Sequence, residues 1–62
     1  MSINEGKWLV VSFAEDEMRV AVNLDEVSYI EETEDGCAMI NLRQGLSICT
    51  KETFDEIGAK IR

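Results

Sequence analysis

Residues Val27–Cys49, VSYIEETEDGCAMINLRQGLSIC, decide how this chain folds. Three short apolar runs are separated by Glu34–Gly36 (EDG) and Arg43–Gly45 (RQG), two polar triplets that each end in glycine. A three-residue hairpin loop is commonly a type I turn followed by a left-handed residue, a conformation glycine adopts without steric cost. Two such turns set Ile30 opposite Ile40, Ile40 opposite Ile48 and Leu42 opposite Leu46. One face then carries Ile30, Ala38, Ile40, Leu42, Leu46 and Ile48 as a core. Glycine position and apolar alternation are independent signals, and together they specify three antiparallel strands in one register.

The opposite face carries Val27, Tyr29, Glu31, Cys37, Met39, Asn41, Ser47 and Cys49, a mixture too apolar for plain solvent surface. Upstream, residues 1–6 are polar and read as a short tail. Lys7–Ala14, KWLVVSFA, is a near-continuous apolar run, expected to be a strand with both faces at least partly covered. Glu15–Glu17 (EDE) follows as an exposed acidic turn, and Met18–Leu24, MRVAVNL, returns with Met18, Val20, Val22 and Leu24 on one side. Pairing Ala14 with Arg19 sets Phe13 against Val20, Val11 against Val22 and Leu9 against Leu24. This hairpin adds Trp8, Val10 and Ala21 to the second face. That face is then either an interface with another subunit or partner, or is buried by the first hairpin curling round as a small barrel.

Downstream, Thr50 reads as an N-cap and Lys51–Arg62, KETFDEIGAKIR, as a helix with Glu52 in its first turn and Lys60 and Arg62 in its last. Phe54, Ile57 and Ile61 form a narrow apolar stripe. Gly58 within it costs up to ~1 kcal/mol against alanine, which fits a close approach of the helix to its neighbour. The expected fold is one α+β domain spanning 1–62: an antiparallel β-meander of about five short strands over 7–49, with one C-terminal helix over 51–62 packed on one face.

A chain of 62 residues buries only about 60% of its unfolded surface, so it is marginal without a disulfide, a metal or a partner subunit. Two cysteines and no histidine leave no four-ligand zinc set. In the register above Met39, not Cys37, lies opposite Cys49, so the cysteines are diagonal neighbours and read as buried free thiols. Association with another chain is the remaining device. The start, MSINEGKW, has neither a basic nor an apolar leader, and no run approaches the ~20 apolar residues of a membrane span. The expected compartment is a reducing cytoplasm, with no membrane contact.

Thirteen acidic against six basic residues give a net charge of −7, which opposes direct binding to nucleic-acid phosphates. The excess either keeps the protein soluble or forms a surface that meets a basic partner, with Glu15, Asp16, Glu17, Glu34 and Asp35 at the turns as its carboxylates. Catalysis has no visible machinery. Without histidine there is no histidine-based triad, the four glycines stand singly, and the EDG turn lacks calcium-loop spacing. The other acids fall in turns and on the helix. The chain reads as a non-enzyme without catalytic, cofactor or metal residues.

From Val22 to Ile61 the pattern resembles two families of small β-rich domains. Flagellar-operon proteins of the FlbD (SwrD) type share its layout of strand, IEE, strand, glycine turn, strand and helix, with IEE here at Ile30–Glu32. The LytTR response-regulator domain is similar in an I-x-YIE run, matched here by Val27, Tyr29, Ile30 and Glu31. Both resemblances imply the layout, and neither transfers a functional residue. LytTR domains contact DNA through basic and polar loops, whereas the corresponding loops here are the acidic EDE and EDG.

Three functions follow as expectations. The first is an interaction module that self-associates and modulates a larger machine, with Trp8, Val10, Tyr29, Met39, Cys37 and Cys49 at its interface. The second is a phage or mobile-element inhibitor that presents an acidic, nucleic-acid-mimicking surface to a host defence or transcription protein. The third, a LytTR-like DNA-binding regulator, is disfavoured by charge.

Overall fold

Both glycine turns close as expected in the computed structural model of the chain, which describes residues 7–61. Gly36 and Gly45 take φ values of 87° and 96°, the left-handed region where any other residue is strained. The Gly36 N–H donates to the Thr33 carbonyl (2.9 Å) and the Thr33 N–H to the Cys37 carbonyl (2.8 Å). The second turn repeats this with Gly45 to Leu42 (3.0 Å) and Leu42 to Leu46 (2.8 Å). These turns join β3 (Val27–Glu32), β4 (Cys37–Leu42) and β5 (Ser47–Thr53) into a sheet of order β3-β4-β5, with Ile30 opposite Ile40 and Ile40 opposite Ile48.

The chain is α+β, but its five strands form two antiparallel sheets instead of one meander. β1 (Trp8–Ser12) and β2 (Arg19–Asn23) pair only with each other in the first sheet. A 3₁₀ turn, Leu24–Glu26, then leads into β3, with the Asn23 side chain accepting from the Asp25 N–H (2.9 Å). α1 (Phe54–Lys60) follows β5. The expected tail at 1–6 and the last residue of the expected helix lie outside the described residues.

The first hairpin is shifted by two residues from the expected register: Leu9 lies opposite Val22 and Val11 opposite Val20. The cause is a competing partner. Phe13 forms a bridge with Thr50 of β5, and the Ala14 N–H donates to the Cys49 carbonyl (2.9 Å), so Ala14 is taken out of the hairpin. Phe13 closes the turn instead, donating to the Met18 carbonyl (3.0 Å). Because strand side chains alternate with period two, an even shift leaves each on its intended face.

That bridge is the joint between the sheets, and β5 is deformed there. Met39 lies opposite Cys49 and Cys37 opposite Thr53, so Thr50, Lys51 and Glu52 all answer to the single residue Ala38. Such a bulge bends the strand and increases its twist. Thr50 is 1% exposed; its hydroxyl donates to the Ala38 carbonyl (2.9 Å), with the Glu52 carbonyl also in reach at 3.2 Å. Thr50 is therefore a buried strand residue and not the N-cap. The helix begins at Phe54, capped by Thr53, whose side-chain oxygen accepts from the Glu56 N–H (3.0 Å) while the Glu56 carboxylate accepts from the Thr53 N–H (2.8 Å). This is a capping box, written in the sequence as T-x-x-E at 53–56.

The core lies between the sheets: Leu9, Val11 and Val22 from the first hairpin, Ala38 and Ile40 from β4, and Ile57 from α1. The hairpin and the helix thus share the inner face of the three-stranded sheet. Three expectations change with this. β1 is covered on one face only, with Trp8 and Val10 exposed. Leu46 stands 59% exposed beside the second turn, outside the core. A bulge between Val27 and Tyr29 sets Val27 opposite Leu42 and turns it from the outer face to the core. Gly58 is not demanded by close packing either, since a Cβ there would meet nothing within 4 Å.

Thr50→Val should lower the unfolding free energy by about 1–3 kcal/mol, because it keeps the shape and leaves a buried carbonyl short of its donor, while Thr50→Ser should recover part of the loss. Gly58→Ala should raise stability by up to ~1 kcal/mol. Urea titration followed by Trp8 fluorescence measures both.

Candidate functional site

The sequence-predicted interface residues divide between two surfaces. Trp8 (51% exposed) and Val10 (45%) lie with Ala21 on the outer face of the β1–β2 sheet. Tyr29, Met39, Cys37 and Cys49 belong to the three-stranded sheet. Both sheets turn their inner faces to one core, so their outer faces look away from each other and the six residues do not form one patch.

The outer face of the larger sheet is built in rungs. One runs Glu31, Met39, Cys49 and the next Tyr29, Asn41, Ser47. The Ser47 hydroxyl donates to Asn41 Oδ1 (2.8 Å), and Asn41 Nδ2 donates to Glu31 Oε1 (3.2 Å), tying the three strands together across the surface. Tyr29 stands 58% exposed at one side of this polar ladder, and Met39 is half-buried. The thiols are free and unlike. Cys37 is half-buried with its Sγ 3.6 Å from the Lys51 carbonyl, while Cys49 is exposed, which corrects the expectation of two buried thiols.

The acidic residues also form two groups. Glu15, Asp16 and Glu17 sit exposed at the β1–β2 turn, where Asp16 Oδ1 accepts from the Met18 N–H (2.8 Å) and Glu17 lies 3.8 Å from Lys51. Against β5 this turn bounds a cleft of about 300 Å³ that includes Glu15, Asp16 and Cys49, with no lysine, arginine or histidine among its lining residues. Glu34 and Asp35 occupy the β3–β4 turn, which is fastened to the start of α1 by the Phe54 N–H donating to the Gly36 carbonyl (3.0 Å). Among the described residues no three His, Cys, Asp or Glu side chains converge as a metal-binding group, and no helix is long and apolar enough to cross a membrane.

A third surface went unrecognised in the sequence. A groove of about 290 Å³ runs between β3 and α1, lined by Tyr29, Ile30, Phe54, Ile57, Gly58 and Ile61. Of the helix stripe only Ile57 enters the core, and Phe54 (37%) and Ile61 (43%) stay exposed along the groove. The stripe was visible as a signal. What the pattern lacked was the short helix, whose seven residues put only Ile57 into the core and leave Phe54 and Ile61 at its two ends beside β3.

Iodoacetamide applied to the native protein should alkylate Cys49 before Cys37, because exposure controls access to the thiolate. Peptide mass mapping at short reaction times reads the order.

No protein-family model, no curated protein and no solved structure matches the chain, so its site rests on its own geometry.

Proposed function

We propose that this protein is a non-enzymatic interaction module that self-associates and acts on a larger protein assembly. The supporting observation is the outward face of the β1–β2 sheet, where Trp8 and Val10 stand about half exposed beside Ala21. Tryptophan is among the side chains that contribute most to interfaces, and a two-stranded sheet is only marginally stable without further cover. A second copy laid on this face would bury Trp8 and supply the cover that a chain of 62 residues cannot provide alone. The charge of −7 works against this contact, so the contact has to be apolar and short-range, and salt should strengthen it.

The acidic turns support a second reading, in which exposed Glu15, Asp16, Glu17, Glu34 and Asp35 meet a basic, nucleic-acid-binding protein of a host. Electrostatic complementarity of that kind speeds and selects encounters. Its mark is salt sensitivity, the opposite of the first contact.

Sedimentation equilibrium from low to high micromolar protein should show a reversible dimer that Trp8→Ala returns to monomer. A clean monomer at the highest concentration would remove self-association. For the second reading, a partner held by the immobilised protein should elute as salt rises and should be lost when Glu15, Asp16, Glu34 and Asp35 are neutralised together. Salt-insensitive retention would sink it.

A further inference from the structure

β3 is an outer strand: β4 pairs with it on one side, and among the described residues no strand pairs with it on the other. The register shows which backbone groups this leaves outside. The Thr33 N–H donates to the Cys37 carbonyl (2.8 Å), and Glu31 lies opposite Met39 in the same register. Inward and outward backbone groups alternate along an antiparallel strand. Thr33, Glu31 and Tyr29 therefore turn their N–H and C=O toward β4, and Ile30 and Glu32 turn theirs away from it. An edge with outward donors and acceptors is a template for a further strand.

The two long edges nearest the core are treated differently. On β1 the Ser12 N–H is taken by Glu52 Oε1 (3.0 Å), the Val10 carbonyl accepts from Lys60 Nζ (3.1 Å), and the Ala14 N–H meets Cys49. The edge of β3 instead borders the groove of about 290 Å³ whose far wall is Phe54, Ile57, Gly58 and Ile61 of α1 and its cap. A strand laid along β3 would send alternate side chains into this apolar groove, where the missing Cβ of Gly58 leaves open space. The other set would lie on the outer face beside Tyr29 and Glu31.

Charge selects the occupant. Asp25–Asp35 holds Asp25, Glu26, Glu31, Glu32, Glu34 and Asp35 with no lysine or arginine, and α1 adds Asp55 and Glu56 in its first turn. Lys7 lies 3.6 Å from Asp25, and the Arg43 backbone meets Glu26, so those two cations sit at the start of β3. The carboxylates toward Asp35 lie at its other end. A second copy paired here would bring two such acidic edges together.

We propose that the β3–α1 groove binds an extended segment of a partner protein in which apolar residues alternate with lysine or arginine, added as a fourth strand beside β3. The apolar side chains fill the groove against Phe54 and Ile57, and the basic ones, on the outer face, meet Glu31 and the acidic turn. The contact is separate from the Trp8 face and does not depend on self-association.

The full chain, labelled with ¹⁵N, is titrated with short synthetic peptides alternating Lys or Arg with Val, Ile or Phe, and with peptides of the same composition permuted to helical spacing. At saturation the alternating peptides should slow amide exchange at Ile30 and Glu32 by about tenfold or more. Gly58→Leu, which fills the groove without entering the core, should weaken binding about tenfold while the circular dichroism stays native. Glu31→Lys should weaken it and flatten its salt dependence. The proposal is overturned if no alternating peptide binds below millimolar concentration, or if Ile30 and Glu32 exchange unchanged in the bound state. It is also overturned if the helically spaced peptides bind equally well, if Gly58→Leu binds like the parent, or if self-association without peptide protects Ile30 and Glu32. Sedimentation of the same samples separates this last outcome from a dimer built on Trp8.

Discussion

The buried Thr50 hydroxyl is the contact on which the arrangement of the two sheets depends. Beside it β5 offers three residues to one of β4, and without a donor inside the bend the Ala38 carbonyl would be desolvated with one partner fewer. The same residue forms the bridge to Phe13 that draws the first hairpin onto the second sheet. Local side-chain bonding by threonine usually competes with regular structure, and here it is what permits the departure from it. A two-stranded sheet holds little by itself and the three-stranded sheet needs its apolar face covered, so the position of the joint is also the position of the core.

That core is small. Leu9, Val11, Val22, Ala38, Ile40 and Ile57 are its fully buried members, with Val27, Ile30 and Ile48 among those packed around it. Only one face of each sheet and one residue of the helix are needed to make it. Of the apolar side chains left outside, Met18 and Leu46 stand at turns, while Trp8 and Val10 gather on the outward face of β1 and Tyr29, Phe54 and Ile61 along the β3 edge, and these two are the surfaces where a small chain can gain stability or specificity from a partner.

Edges are the second constraint. The carboxylate of Glu52 and the ammonium of Lys60 occupy the open side of β1, a use of charge that blocks further strand pairing. β3 is bordered by carboxylates and by an apolar groove, which repels another copy of this acidic chain and suits a cationic strand. Both exposed ion pairs, Lys7 with Asp25 and Lys51 with Glu17, contribute little to stability at their separation and exposure.

The sequence by itself determined what depends on neighbours within one hairpin. Gly36 and Gly45 specified two turns, and the turns set the registers of Ile30, Ile40 and Ile48, because loop geometry and side-chain period are local properties. The T-x-x-E box at Thr53 was equally local, but Thr50 offered a competing cap, and only its burial excluded it. The tertiary structure decided everything that required contact across the chain. It drew Ala14 to Cys49, moved the first hairpin by two residues, divided one expected sheet into two, and turned Trp8 and Val10 away from Tyr29 and Met39. It also made the β3–α1 groove, since whether Phe54 and Ile61 are core or surface depends on where a short helix lands. Hydrogen bonds and apolar contacts between distant segments compete with local ones of similar strength, and the fold that satisfies the most buried groups prevails.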